Sequence, residues 1–319
     1  MIDTQLRTRL LAAESDELVD LLTSPSLEEA EQLRAHLGPL NYQRMRSLAL
    51  RKLTRLREAG DFSNGNVIFV PAMLHNELSV RTNGGQTPIW LSARAVLRGD
   101  LQSLRLDDAG LNDADPHKPV FVSGVMKRYC GELLLTLAQS WTVRTFAYDW
   151  RKSLKLAATQ LQARIEACFP PGARVHIVAV GEGGIVARLY VALFADHWQQ
   201  RSGRLITIGT PHQGAPLYLQ ALAGHLDIVH WADTVDPHYE RAAYLALLHT
   251  FPSLYQLLPF ARKQHKTLLQ ARTYGNLTTI RQEHLDSAHD VQKLLAAAVD
   301  PAHMLTVVGY GRPSCGEVD

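Results

Sequence analysis

The sequence predicts an α/β fold: a mostly parallel sheet with helices on both faces, an inserted helical cap and an N-terminal helical extension. Three observations carry that prediction. From Val67 onward, short apolar runs rich in β-branched residues alternate with helical patterns. One central run, VHIVAV (175–180), meets a tight Gly-rich turn and then an apolar-periodic stretch from Ile185 to Leu193. Before residue 63 the apolar residues recur only at helical spacing. Strands that are apolar along their whole length are buried on both faces, which is the signature of a parallel sheet.

Residues 1–62 form the expected helical extension. Leu6, Leu10, Leu18, Leu21 and Leu22 mark a first helical region, and Ser26 with Glu29 makes a capping-box pattern that opens a second helix ending near Gly38. A third helix spans roughly Leu40 to Ala59 and is mostly basic, with Arg44, Arg46, Arg51, Lys52, Arg55 and Arg57. A solvated face packed on the main domain is the preferred reading of that charge, ahead of a nucleic-acid or lipid-headgroup patch. The loop DFSNGN (61–66) marks the boundary, and 63–319 is the expected core. Its strands are NVIFVPAM, KPVFVSG (118–124), WTVRTFAYDW (141–150), RVHIVAV, RLITIGT (204–210) and HMLTVVGYG (303–311), with a cap around 216–298.

Composition narrows the function classes. The 33 Lys and Arg against 31 Asp and Glu leave a net charge of +2, which supplies no electrostatic case for nucleic acid. No uncharged apolar run approaches the ~20 residues of a membrane span. The N-terminus, MIDTQLRTRLLAAESDELV, lacks the basic head and apolar core of a signal peptide. Three widely spaced cysteines, Cys130, Cys168 and Cys315, fit a reducing cytoplasm, and none has metal-ligand spacing with His, so no metal and no cofactor is expected.

Several segments together resemble one family, the lecithin:cholesterol acyltransferase-like lipases and acyltransferases of the α/β-hydrolase fold. VIFVPAMLHNEL (67–78) is similar to the family's loop after the first strand. IWLS (89–92) and LRGDLQSLRLDDAG (97–110) resemble the segment that follows it. FAYDWRKS (146–153) matches a Tyr-Asp-Trp-Arg signature. VHIVAVGEGGIVARLYV (175–191) matches the nucleophile elbow, LITIGTPHQGAP (205–216) the strand and turn after it, and FPSLYQLLP (251–259) a lid or cap segment. The resemblance runs from about residue 67 to residue 312 and implies an α/β-hydrolase core.

Acyl chemistry on this fold needs a nucleophile, a His oriented by an acid, and backbone donors for the oxyanion. The elbow tip aligns with Gly181, which has no side chain to attack with. Glu182 reaches the tip only if the elbow shifts by one residue, and then Ala179 and Gly183 lose their match to the flanking small positions. The resemblance implies that the oxyanion donors are the Glu182 amide and an amide of the first-strand loop, Leu74 first and Met73 next. The loop's glycines are replaced by Ala72 and His75, and Glu182 brings a carboxylate to where negative charge would develop; the bland alternative is that Glu182 points to solvent. The family's acid and His lie beyond the last strand, and this sequence reaches Asp319 before either, so the core is expected to be C-terminally incomplete. His212, in the TPHQGAP turn, reads as a packing and hydrogen-bonding residue. His75 is grouped with the pocket, and Asp149 and Arg151 are expected to form a buried ion pair supporting the elbow.

The expected function is therefore a catalytically silent α/β-hydrolase-fold protein that acts in binding or assembly. A lipid or acyl-ester ligand would lie under the cap, and a protein partner or second copy would cover the apolar sheet edge at 305–309. The alternative is a serine lipase, esterase or acyltransferase, with Ser originally at position 181, in an inactivated or truncated form.

Overall fold

In a computed structural model of the chain, residues 2–60, 63–82, 85–90, 92–260 and 263–311 are described. Four helices come first: α1 (Thr4–Ala12), α2 (Ser15–Thr23), α3 (Leu27–Leu37) and α4 (Pro39–Ala59). Strand β1 (Asn66–Val70) follows, then β2 (Asn76–Thr82), β3 (Gly85–Pro88), the short α5 (Ala93–Leu97) and β4 (Val120–Val125). The alternation continues through α6 (Lys127–Ala138), β5 (Thr142–Thr145), α7 (Leu154–Cys168), β6 (Val175–Val180), α8 (Gly183–Leu193), α9 (Ala195–Arg201) and β7 (Leu205–Ile208). The helices α10 (Pro216–Ala223), α11 (Asp227–Val235), α12 (Arg241–Leu248) and α13 (Pro252–Gln256) precede α14 (Gln282–Ala297) and β8 (Met304–Val307).

The main sheet has the order β5-β1-β6-β7-β8, and every neighbouring pair is parallel. Alternate residues of β1 face opposite ways. Ile68 and Val70 join the core made with α7 and α8, while Val67 and Phe69 join a second core with Cys130, Leu134 and Ala138 of α6. The sheet thus has helices on both faces, and its central strands are buried on both, as their apolar sequences require. This is an α/β fold with the parallel sheet that the sequence predicts.

Two elements differ from expectation. KPVFVSG forms β4, but β4 lies outside the main sheet: it pairs antiparallel with β2 in a three-stranded sheet of order β3-β2-β4. Only the ends of β4 are buried, whereas four of the five β1 residues are, so β4 suits a one-sided antiparallel sheet. The first helical region is also broken into α1 and α2. Glu14 adopts an extended conformation, caps α2 reciprocally with Glu17, and receives the Thr145 amide at 2.8 Å and the Arg164 guanidinium at 2.5 Å. These bonds to the core fix the break where helical propensity alone would run through. Ser26 and Glu29 do form a capping box at the start of α3.

The N-terminal helices surround a core of their own, built from residues such as Leu10, Leu22, Leu33 and Met45, which reaches α6 through Leu135. Arg7 binds the buried Glu77 carboxylate at 2.5 Å, and the buried Lys127 ammonium donates to the Leu11 carbonyl at the end of α1, at 2.8 Å.

Candidate functional site

Strand β6 ends at Val180, and the chain turns sharply into α8. Gly181 holds the turn with φ +53°, in the left-handed region where a side chain is strained, while Glu182 already has helical angles. The Gly181 amide donates to the Ile208 carbonyl at 2.9 Å, so the turn is tied to β7. Space at the tip is tight: a Cβ on Gly181 would lie 3.0 Å from Ala72 Cβ. Three residues later the approach is closer still, since a Cβ on Gly184 would meet Thr210 Oγ1 at 2.1 Å. The glycines therefore let α8 start hard against the loops after β1 and β7. This is the strand–turn–helix arrangement that the sequence leads one to expect at the elbow position, with a glycine at its tip.

Across from the tip, the chain after β1 forms a single 3-10 turn, Met73–His75. Glu182 reaches into this turn. Its Oε2 accepts the Met73 amide at 3.1 Å, and its Oε1 accepts the Tyr218 hydroxyl of α10 in a short hydrogen bond. The carboxylate does not point to solvent, as the bland alternative has it. It is held there by one amide donor, one phenol donor and its place at the start of α8, where the helix dipole favours an anion. Burial, and then the charge of Glu182, push the Tyr218 phenol far up, so it stays a donor.

The remaining site residues divide by position. Leu74 is half-exposed at the loop's crest, and its carbonyl accepts Trp90 Nε1 at 3.3 Å. His75 stacks on Tyr129 with ring centroids 4.7 Å apart, and burial holds its imidazole below the ordinary range against the opposing pull of Glu182. Arg151 is fully buried; it pairs with Asp149 at 2.7 Å and with Asp113 at 2.9 Å, and donates to the Leu104 carbonyl. His212 lies elsewhere: its ring meets Arg188 at 3.3 Å and Thr207 at 3.2 Å, facing a different hollow beside β8. Burial, then Arg188, lower its pKa.

Met73, Leu74, His75 and Glu182 share one cavity of about 320 Å³. The core side supplies Ala72, Trp90 and Trp150; the cap supplies Tyr218, Val229, Ala232 and Leu247. Its size is at the low end for ligand sites, and its walls are apolar except at the Glu182 end. Two of its organising residues have no sequence signal. Asn76 is fully buried and links the loop to the Tyr-Asp-Trp segment: its side-chain oxygen accepts the Tyr148 amide at 3.2 Å and its backbone carbonyl accepts Trp150 Nε1 at 3.2 Å. Tyr218 is 36 residues from Glu182, and no spacing rule joins them. The FPSLYQLLP segment also docks on this floor, with Phe251 edge-on to Trp150 and the Gln256 side-chain oxygen accepting the Leu154 amide at 2.8 Å.

The fold is α/β, with a mostly parallel central sheet covered by helices on both faces. No family model matches it. A stretch of 164 residues, 48% of the chain, is 24% identical to lecithin-cholesterol acyltransferase-like 4 of Arabidopsis thaliana and spans 30% of that protein's length. Among solved structures, a chain in the crystal structure of the Tle4–Tli4 complex superposes with a TM-score of 0.43 at 11% identity, over 77% of this chain and 74% of that one. The similarity to a lipid-acyltransferase-like protein is thus distant and partial. Among the described residues, no helix is long and apolar enough to cross a membrane, and no group of His, Cys, Asp and Glu is placed to hold a metal.

Proposed function

We propose that this chain is a non-catalytic relative of the lipid and ester acylhydrolases and acyltransferases, and that it holds an apolar acyl chain beneath its cap. One observation carries the reading: a capped apolar cavity ends on a carboxylate that already occupies a donor expected to serve the oxyanion. At the elbow tip a hydrogen stands where the nucleophile belongs, and Ala72 crowds the space that a side chain there would need. His75 serves as a pocket wall, and Asp149 with Arg151 as a support.

Binding is tested by the fluorescence of Trp90 and Trp150 during titration with a short-chain alkyl ligand. Saturable quenching is expected, and Ala232→Phe, which fills the cavity, abolishes it. A fluorophosphonate probe leaves the chain unlabelled; stoichiometric labelling would overturn the silent reading. The second part of the proposal concerns assembly. Leu305, Val307 and Val308 are exposed along and just beyond β8, and a second copy of the chain pairs with that edge. Free Cys130 and Cys168 suit a reducing compartment, in this proposal the cytoplasm.

A further inference from the structure

We infer that the polar end of the cavity selects an amphiphile whose head carries no negative charge and donates a hydrogen bond, a long-chain alcohol being its simplest form, and that it rejects the carboxylate of a free fatty acid. This rests on the acyl-chain reading above and adds the class of head group.

Three features of the site point there. First, Glu182 is the only carboxylate among the cavity's described lining residues, and these include no Lys or Arg to offset it. Second, the carboxylate cannot swing away. The Met73 amide and the Tyr218 hydroxyl hold one oxygen each, and they belong to the core loop and to the cap respectively. Third, each oxygen still has an acceptor lone pair after those bonds. A ligand hydroxyl arriving at this end finds an acceptor. A ligand carboxylate finds a like charge in apolar surroundings, where the two repel with little screening. The other titratable side chains among the described lining residues are Tyr218, Tyr244 and His75, and only His75 could carry a positive charge; burial disfavours its charged form, so it supplies no compensating cation near neutral pH.

The test compares octanol with octanoate at pH 8, read by quenching of Trp90 and Trp150 in the full chain. Octanol is expected to bind at least about tenfold more tightly. Because the hydration of octanoate itself lowers its affinity, the decisive readout is the change in that ratio in Glu182→Gln. The amide oxygen keeps an acceptor for Met73, and octanoate should gain about tenfold while octanol stays within about threefold. If the Gln variant does not fold, Glu182→Ala, which removes the charge and the acceptor together, should shift the ratio the same way, with octanoate gaining and octanol weakening. An unchanged ratio in the variant, or octanoate binding as tightly as octanol in the parent, overturns the head-group inference and leaves the acyl-chain reading standing. Binding of neither ligand overturns the acyl-chain reading and the inference with it.

Discussion

Placing a Ser at the elbow tip should cost stability, and the cost should depend on Ala72. Two contributions are visible at Gly181. Its φ of +53° is left-handed, which costs an L-residue about 1–2 kcal/mol. The new Cβ would also meet Ala72 Cβ at 3.0 Å, and overpacking of this kind costs about 1–3 kcal/mol. Gly181→Ser is therefore expected to lose about 2–5 kcal/mol in urea unfolding. Ala72 itself has an ordinary φ of −60°, so Ala72→Gly gains nothing from conformational freedom and alone should cost about 0.5–1 kcal/mol. In the double variant the methyl that Ser crowds is gone. The two substitutions should then couple favourably by about 1 kcal/mol, measured as a double-mutant cycle. Additivity within about 0.5 kcal/mol would show that Ala72 does not crowd the tip. A Gly181→Ser chain as stable as its parent would refute the geometry of the elbow altogether.

Three other outcomes are expected. The buried Lys127 ammonium has a pKa pushed down by burial from its ordinary 10.5 to about 8, so between these values the unfolded chain holds a proton that the folded chain has lost, and stability rises with pH. Burial raises Cys130 from 9.0 to about 12, which offsets the Lys127 trend between about pH 9 and 10.5; the net gain is about 0.6 kcal/mol from pH 8 to 9, and Lys127→Met should abolish that rise in denaturant titrations. Arg151→Met strands Asp149 and Asp113 and should cost about 3–5 kcal/mol in thermal or urea unfolding, while a loss below about 1 kcal/mol would mean that the buried pair carries no weight. Static light scattering should give a dimer mass at micromolar concentration and a monomer for Leu305→Lys with Val307→Lys; a monomeric parent would remove the proposed self-pairing at β8.

The parallel sheet was legible because its strands are apolar on both faces, and the elbow because glycine marks positive φ and close approach. The place of β4 was not legible: a seven-residue apolar run reads alike in a parallel or an antiparallel sheet, and only its half-buried middle separates the two. The break between α1 and α2 was hidden because its cause is tertiary, namely the contacts of Glu14 with Thr145 and Arg164. At the site, the sequence placed a carboxylate next to the tip but left its direction open. Glu182 turns inward because Met73 and Tyr218 receive it, and both partners lie far away in sequence. The cavity likewise depends on cap residues whose Leu and Tyr content looks the same in ordinary helical packing.

Glu182 gives the elbow a different electrostatic task from the one its geometry suggests. A hydrolase elbow points backbone donors and a helix N-terminus at a spot where negative charge appears only in the transition state. Here the Glu182 side chain stands at the start of α8 and takes the Met73 amide, and Tyr218 adds a further favourable contact from the cap. Donors that would otherwise wait unpaired are satisfied in the resting protein, so the arrangement favours the folded state and fixes the cap to the core. The same occupancy works against acyl transfer, because an incoming oxyanion would compete with Glu182 for its donor and meet its charge. In the non-catalytic reading proposed above, a hydroxyl placed at 181 would therefore gain no acyl chemistry while Glu182 holds that donor.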